Sequence, residues 1–346
     1  MDRKKTLATI RDVARAAGVS VATVSRYMNN SQLVAEETAS RVKNAMFDLG
    51  FVPNPVARNL STRRTNTIGL VISNIGGDFF TPLLDGFIET TEKENLNLLI
   101  FSSNRTDRYN HVLLGPMYTD GLLVFADSLG SEDMANLKEL GHPMVLIHQS
   151  PPAGLSIPTV TIENKAASKR IVSHMIETHH RKRIVFLTGP ENNEDSFWRE
   201  AGYREALIDH SLPLTPDLIE IGGFDRSIAR QSIIRLIKKE IPFDAVFAGD
   251  DEAAIGVLLA LKEYGKSVPE QVSVVGFDDQ KLAEFLHPRL TTVCAPTQRV
   301  GITAAKLLIQ IIQDQPVEDI ILLPTELVIR NSCGCQIDNK KSDQID

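Results

Sequence analysis

The stretch AGVSVATVSR, Ala17–Arg26, decides the fold of the N-terminal part of the chain. Small residues lead through Gly18 to Ser20, and serine is a preferred N-cap for the helix that the following residues predict. The pattern therefore predicts two helices joined by a short turn that contains glycine, a helix-turn-helix. The alternative is an ordinary αα-hairpin inside a larger helical domain.

The two faces of this predicted motif have different characters. Four apolar side chains are expected to form a small core: Val13, Ala17, Val19 and Val24. The outer face of the second helix carries Val21, Ala22 and Arg26, the positions from which a recognition helix reads base edges in a major groove. Upstream, Thr9 and Asp12 form a Thr-x-x-Asp variant of the capping box, which predicts that the first helix begins at Thr9.

Downstream, the stretch Val34–Leu60 predicts a third helix, ended by Gly50, and then a short one. Asn54 and Pro55 read as the N-cap and first residue of that short helix. The segment Pro55–Leu60, PVARNL, is far below the roughly 12 residues that an isolated helix needs in water. We therefore expect it to fold only against a partner.

Residues 9–30, TIRDVARAAGVSVATVSRYMNN, and residues 41–60, RVKNAMFDLGFVPNPVARNL, resemble the DNA-binding head of the LacI/GalR family of bacterial transcription regulators. The resemblance implies that the short helix is a hinge, which orders on operator DNA and wedges Leu60 into the minor groove. One departure is Ala35, which stands where a serine usually caps the third helix; losing such a cap costs about 1 kcal/mol. The expected DNA contacts are Ser20, Val21, Ala22, Thr23, Arg26, Asn54, Arg58 and Leu60.

Charge is unevenly distributed along the 346 residues. The net charge is −7, but residues 1–65 hold eleven Lys/Arg against five Asp/Glu, a balance of +6, which leaves −13 for the remainder. A basic head on an acidic body suits a polyanionic partner at one end, here operator DNA. Hydrophobic residues make up 42% of the chain, enough for the cores of two or three globular domains.

The sequence also predicts where the protein works. Apolar runs stay short of the roughly 18 residues that a membrane span needs, and the N-terminus MDRKKTLATI lacks an apolar signal core. Three cysteines, an odd number, make a disulfide framework improbable. We expect a cytoplasmic protein with no membrane partner.

From Thr67 onward, apolar strand-like runs alternate with helical segments, which predicts parallel sheets covered on both faces. The later segments 290–293 and 321–330 are expected to cross between two subdomains. The expected fold is an all-α helix-turn-helix head plus an α/β body of two doubly wound parallel-sheet lobes, which resembles periplasmic sugar-binding proteins with the ligand in the cleft. Nine strands are predicted: TIGLVIS, LNLLIF, DGLLVFA, PMVLIH, TVTI, RIVFLTG, LIEIGG, DAVFAGD and VSVVGFDD.

The predicted domains are a helix-turn-helix domain (1–52), a hinge helix and linker (53–65), a two-lobed effector-binding and dimerisation domain (66–335) and a polar tail (336–346). Lobe 1 takes about 66–162 and 294–322, and lobe 2 about 163–293 and 323–335. Between Asn104 and Asp120 the family has a longer helix, which Gly115-Pro116 interrupts here, so a short or distorted helix is expected. The tail lacks leucine heptads, so we expect a homodimer.

Ligands of open α/β sheets bind outside the carboxyl ends of the strands. By that rule and by the family resemblance, the candidate effector-binding residues are Phe79, Phe80, Asp195, Arg199, Phe224, Asp250 and Asp278. Alternative roles are core packing for the phenylalanines and helix capping for one member of each pair Asp250-Asp251 and Asp278-Asp279. Two carboxylates against one guanidinium suit hydroxyls that donate and accept, so the expected small-molecule effector is a carbohydrate. A purine or other non-sugar effector stays open.

Enzyme and metal chemistry find little support. The segment 260–267, ALKEYGKS, satisfies a loosened phosphate-loop pattern but ends a helix, whereas a phosphate loop begins one. Paired acids with His174, His179 and His180 could suggest a metal, but the segment His179–Arg183 precedes a predicted strand and is interpreted as a solvated basic turn. Cys333-Gly334-Cys335 lacks two further cysteines for a zinc site. We expect no enzyme, no cofactor and no metal. A sugar-binding receptor, or an α/β enzyme with an accessory head, is the less favoured alternative.

Overall fold

The structure, a computed structural model, describes residues 8–29, 33–52, 64–73, 76–102 and 114–336. The chain divides into two compact units, Met1–Thr65 and Asn66–Asp346, called here the head and the body. The expected hinge helix, with Asn54, Arg58 and Leu60, lies outside the described residues, as does the tail beyond Gln336.

The described part of the head consists of three helices: α1 (Ile10–Ala17), α2 (Val21–Asn29) and α3 (Glu36–Asp48). The buried residues of its core are Val13, Ala14, Ala17, Val24, Val42 and Ala45. Val19 packs against this core, whereas Val21, Ala22 and Arg26 are exposed. The predicted separation of core and outer face in the helix-turn-helix is confirmed.

Local hydrogen bonds fix the helix ends where the sequence predicts them. At α1, Asp12 N donates to Thr9 Oγ1 at 3.4 Å and Thr9 N donates to Asp12 Oδ2 at 3.0 Å, which completes the capping box. At α2, Thr23 N donates to Ser20 Oγ at 3.1 Å. Helix α3 follows Ala35, which offers no side-chain acceptor to its first turn.

An arginine of α3 holds the turn of the helix-turn-helix. Gly18 is left-handed, with φ of 66°, and ends α1. Arg41 donates to the carbonyl oxygen of Ala17 from Nη2 at 2.6 Å and from Nε at 3.1 Å, and to that of Gly18 at 3.0 Å. These bonds satisfy carbonyl groups that the end of α1 leaves without helical partners.

The body is built on two parallel sheets and one small antiparallel sheet. The six-stranded sheet has the order β11-β5-β4-β3-β1-β2, the four-stranded sheet β7-β6-β8-β9, and the third pairs β10 with β12. The strands are β1 (Thr67–Ile72), β2 (Asn97–Ser102), β3 (Gly121–Phe125), β4 (Met144–Ile147), β5 (Thr159–Ile162), β6 (Ile184–Thr188), β7 (Ile219–Ile221), β8 (Ala245–Ala248), β9 (Ser273–Val275), β10 (Thr292–Cys294), β11 (Ile320–Leu323) and β12 (Glu326–Val328).

Helices cover these sheets, and two of them pack unusually closely. They are α4 (Phe80–Lys93), α5 (Ser131–Glu139), α6 (Asn164–His179), α7 (Glu194–Asp209), α8 (Arg226–Lys238), α9 (Asp251–Glu263), α10 (Lys281–Phe285) and α11 (Thr297–Ile312). In the α4–α11 pair, a Cβ at Gly86 or Gly301 would collide with the backbone of the facing helix. Of the helices in the described ranges, none is both long and apolar enough to span a bilayer.

The chain passes between the sheets near its end. Strand β11 returns to the six-stranded sheet beside β5, and β12, three residues later, pairs with β10. The six-stranded sheet defines lobe 1 and the four-stranded sheet lobe 2. All nine predicted strands are present as β1 to β9, and the two late segments lie at the predicted crossings.

The segment 104–120 is described only from Leu114 onward. Gly115 to Tyr118 form turns and bends, and Thr119 Oγ1 donates to the carbonyl oxygen of Leu114 at 3.2 Å. Gly115-Pro116 thus lies in a turn that follows the helical residue Leu114, and the expected short or distorted helix itself stays a prediction. The preceding residues 104–113 lie outside the described ranges.

Candidate functional site

The outer face of α2 presents a small set of side chains to solvent. Val21, Ala22 and Arg26 are exposed, with Ser20 just before the helix. The hydroxyl groups of Ser20 and Thr23, which are both predicted DNA contacts, lie 2.8 Å apart and share a hydrogen bond. Four of the five predicted DNA-contacting residues therefore lie at the N-terminal end of α2 and Arg26 lies in its last turn; their contact with DNA stays a prediction.

A cavity of about 470 Å³ lies between the lobes of the body. Cavities of several hundred Å³ are the usual size for small-molecule sites. It is lined from the carboxyl ends of strands in both sheets and brings together all seven candidate effector residues: Phe79, Phe80, Asp195, Arg199, Phe224, Asp250 and Asp278. That they bind an effector stays a prediction.

Lobe 1 contributes an aromatic wall. The rings of Phe79 and Phe80, at the start of α4, are perpendicular with centroids 5.3 Å apart, and Phe125, at the end of β3, lies 5.3 Å from Phe80. The centroid of His148 lies 5.7 Å from that of Phe125. The two predicted phenylalanines are half-buried and line the cavity, so they combine packing with an accessible apolar surface.

Lobe 2 contributes a charged wall centred on Arg199. This side chain is buried in α7, and its guanidinium carbon lies 3.7 Å above the ring of Phe277. Its Nε donates to Asn164 Oδ1 at 2.9 Å, its Nη1 to the carbonyl oxygen of Gly249 at 2.6 Å, and its Nη2 to Asp278 Oδ1 at 3.4 Å. The guanidinium is therefore fixed in orientation before any ligand arrives.

Phe224 occupies a constrained position beside Arg199. Its backbone is left-handed, with φ of 52°, and its ring covers Gly189, where an added Cβ would collide with it. An added Cβ at Gly249 would lie 3.0 Å from the same ring. The guanidinium carbon of Arg199 lies 5.3 Å from the ring centroid. Two glycines after strands thus make room for one aromatic ring at the cavity wall.

One of the two aspartate pairs supplies a helix cap, as predicted, and the other does not. Asp250 is itself the N-cap of α9, accepting from Ala253 N at 2.8 Å, and still lines the cavity. Asp251 is buried and accepts from Thr292 Oγ1 at 2.6 Å. The prediction that Asp278 or Asp279 caps a helix is wrong, because the strand is followed by two left-handed residues and α10 begins only after Gln280.

Burial changes the protonation of the acids in the charged wall. Burial, and then the charge of Asp278, raise the pKa of Asp250 to about 8. Burial raises the pKa of Asp278 to about 6, although Arg199 opposes the shift. Both shifts move these two carboxyls towards the protonated form, in which a carboxyl can donate as well as accept.

His148 is a site residue that the sequence analysis missed. It follows β4 directly and is left-handed, with φ of 59°. Its Nδ1 lies 3.0 Å from Asp195 Oδ2, and Asp195 also accepts from Asn164 Nδ2 at 2.7 Å. Burial favours a higher pKa for Asp195, but His148 and Arg199 outweigh it and lower the pKa. The signal was present, since His148 ends a predicted strand as the other site residues do.

The charges around the cavity are mostly negative. Among its described lining residues, seven are acidic and two, His148 and Arg199, are basic. The acidic ones are Asp78, Asp127, Glu191, Asp195, Asp250, Glu252 and Asp278. This balance disfavours an anionic ligand and suits a neutral one with many hydroxyl groups.

A helix-turn-helix head and a two-lobed body with a cavity of this size are typical of one class of protein, the DNA-binding transcription regulators. Comparison with known proteins agrees. Residues 9–54 match "Bacterial regulatory proteins, lacI family", and residues 172–333 match "Periplasmic binding protein-like domain". The HTH-type transcriptional regulator RegA of Clostridium acetobutylicum is 36% identical over 333 residues, 94% of this chain and 99% of RegA.

Solved structures show the same architecture over nearly the whole chain. The complex of the transcriptional regulator CelR with cellobiose has a TM-score of 0.70 and 30% identity, covering 94% of this chain and 99% of CelR. The lac repressor dimer bound to operator and the anti-inducer ONPF shares the fold, with a TM-score of 0.83, 24% identity and coverage of 95% and 99%. The chain belongs to the LacI family of bacterial regulatory proteins, and it is a transcriptional regulator rather than an enzyme.

Proposed function

We propose that the protein is a repressor of sugar-utilisation genes, which binds a palindromic operator as a homodimer and responds to a neutral carbohydrate in the cavity between its lobes. The observation that carries the effector part is the composition of that cavity. One wall is aromatic, the other is polar and fixed, and acidic residues outnumber basic ones.

The two walls suit the two surfaces of a sugar. The C–H groups of a pyranose or furanose ring can pack on Phe79, Phe80 or Phe224. Hydroxyl groups both donate and accept, which matches Arg199 as a donor, Asp278 as an acceptor and Asp250 as a protonated carboxyl. Hydrogen bonds to charged groups contribute about 1.5 to 3 kcal/mol each. CelR, which was solved with cellobiose, supports a carbohydrate as the ligand class.

Two features support the proposal of a homodimer, the two-fold symmetry of palindromic DNA sites and an exposed apolar edge strand. One recognition helix per head reads one half-site, so a two-fold protein reads an inverted repeat. Strand β2 lies at the edge of the six-stranded sheet and exposes Leu99 and Ile100. Proteins usually cover apolar edge strands. We propose that a second copy covers this one, and that the dimer acts on DNA in the cytoplasm.

Ligand screening of the full chain by thermal shift tests the effector class, because a ligand that binds only the folded state raises its stability. The panel contains neutral mono- and disaccharides, phosphorylated sugars, and nucleosides with nucleobases. We expect a neutral sugar to raise the unfolding temperature and Arg199→Ala to remove that response. A response limited to nucleobases or phosphorylated sugars would contradict the carbohydrate proposal.

DNA selection from a random duplex library tests the operator part. We expect enriched sequences to be inverted repeats, with binding that weakens as salt rises. Enrichment of single half-sites, or no enrichment over the starting library, would contradict binding as a dimer to a palindrome.

A further inference from the structure

Four potential metal ligands meet at one point of lobe 2, away from the cavity. The donor atoms of His174, His179, Cys333 and Cys335 all lie within 4.8 Å of one another. The histidines come from the last two turns of α6, and the cysteines follow β12 near the end of the chain. The interpretation of His179 as part of a solvated basic turn is wrong, because this side chain is half-buried in the cluster.

The distances fit tetrahedral coordination. Cys335 Sγ lies 3.3 Å from Nε2 of His179 and 3.7 Å from Nε2 of His174. Bonds of about 2.3 Å to sulfur and about 2.05 Å to nitrogen place S and N donors about 3.6 Å apart in a zinc tetrahedron. The two observed separations bracket that value, and the other donor pairs lie within 4.8 Å, so the side chains must move inward by about 1 Å at most to hold a metal.

The surrounding structure holds the donors in place. His179 is the last residue of α6, and Gly334 has φ of 120°, so the Cys-Gly-Cys chain passes close to the His179 ring, where an added Cβ would lie 2.8 Å from Nδ1. Thr178 Oγ1 lies 3.3 Å from Nδ1 of His174. A proton held at Nδ1 leaves Nε2 free as a ligand, the usual arrangement in metal sites.

A hydroxyl group also positions one of the sulfurs. Thr291 Oγ1 donates to Cys333 Sγ at 3.2 Å, and Cys333 is buried.

We propose that His174, His179, Cys333 and Cys335 form a structural Zn²⁺ site that fastens the C-terminal segment to α6. Two thiolates and two imidazoles are a donor set that selects zinc, and four protein ligands leave no position for a substrate. Half-burial of His174, His179 and Cys335 leaves a path for the ion. The site is separate from effector binding and does not depend on it.

Metal analysis of the full chain tests this proposal. Protein purified in reducing buffer is stripped with a chelator, supplied with ZnCl₂, desalted and measured by mass spectrometry of the elements. We expect one zinc per chain, and with Co²⁺ we expect the visible absorption bands of a tetrahedral thiolate complex. Cys335→Ser and His179→Asn should each lower zinc affinity by at least about 100-fold. Mutation of residues that only hydrogen-bond to metal ligands already lowers metal affinity about 10 to 100-fold.

Matched controls separate loss of ligands from general damage. Cys294→Ser removes the third cysteine, and His180→Asn alters the exposed neighbour of His179 at a left-handed position that asparagine tolerates. Both should bind zinc as the unaltered chain does. Circular dichroism checks that each variant is folded. The zinc titration of the unaltered chain tests the proposal even if a variant does not fold.

Two results would overturn the proposal. One is an unaltered, folded chain that retains no more zinc than Cys335→Ser does. The other is a disulfide between Cys333 and Cys335 that persists in the reducing buffer, since those sulfurs would then not bind a metal.

Discussion

His148 and Asp195 come from different lobes of the body and pair across the cavity, with 3.0 Å between Nδ1 and Oδ2. Nearby, Ser150 Oγ of lobe 1 donates to Glu194 Oε1 of lobe 2 at 2.7 Å. The first pair is buried and the second is exposed. Direct polar contacts therefore join the two lobes at the cavity and beside it.

The buried pair should contribute more to stability than the exposed pair. We expect His148→Ala to lower the free energy of unfolding by about 1 to 3 kcal/mol, because Asp195 loses a buried partner. Ser150→Ala should cost less than about 1 kcal/mol, as exposed polar pairs do. Urea unfolding of both variants measures the difference, and equal losses would argue against a special role for the buried pair.

The raised pKa of Asp250 predicts a pH dependence of stability. Its pKa of about 8 in the folded chain exceeds the ordinary 3.8, so the folded chain holds a proton that the unfolded chain loses between these values. This contribution is fully present below the ordinary pKa and is lost as pH rises through 8, at up to about 1.4 kcal/mol per pH unit. Asp250→Asn keeps the capping oxygen and removes the titration.

Urea unfolding across this pH range checks the effect. We expect Asp250→Asn to lose less stability than the unaltered chain as pH rises. Asp225→Asn is the control, because Asp225 caps α8 at an exposed position, accepting from Ser227 N at 2.8 Å. Stability curves of Asp250→Asn and the unaltered chain that stay parallel would mean that Asp250 does not hold the extra proton.

The missing cap of α3 predicts a stabilising substitution. Ala35 has extended backbone at the N-cap position, with φ of −54° and ψ of 141°. A serine there can accept from a free N–H of the first turn, so Ala35→Ser should stabilise the head by about 1 kcal/mol. Thermal unfolding of the full chain measures it, with Ala35→Val as the control that offers no acceptor. If Ala35→Ser unfolded at the same temperature as Ala35→Val, the backbone N–H groups in the first turn of α3 would not gain from a serine cap.

Much of the fold could be predicted from the sequence, because the strands and helix caps depend on residues that are close together in the chain. Strands β1 to β9 are short apolar runs between helical segments, and caps such as Thr9 act within a few residues. Contacts between distant segments were not readable. The bonds from Arg41 to Ala17 join different helices, and Cys335 lies 161 positions from His174. Which of Asp250 and Asp251 caps α9 depends on how the chain enters the helix, which residue type alone does not fix.

Arg26 should govern the choice of DNA sequence. It is exposed on the outer face of α2, and arginine paired with guanine is the commonest specific contact. Arg26→Ala should lower the ratio of affinities for selected and random DNA about 10 to 100-fold, whereas Lys43→Ala, which removes an exposed charge from α3, should leave that ratio unchanged. Fluorescence anisotropy with both duplexes measures the ratios. A similar fall for both variants would assign Arg26 a purely electrostatic role.

Binding of a sugar in the cavity and binding of the operator should be coupled through the same protein chain. The most direct measurement is a pair of titrations on the full chain, operator affinity with and without the sugar and sugar affinity with and without the operator. Thermodynamic linkage requires both affinities to change by the same factor. We predict a shared factor of about 5 to 150, the usual range for allosteric coupling, which Asp278→Asn reduces while operator binding persists. A sugar that binds the cavity with the same affinity in the presence and absence of operator would contradict this coupling.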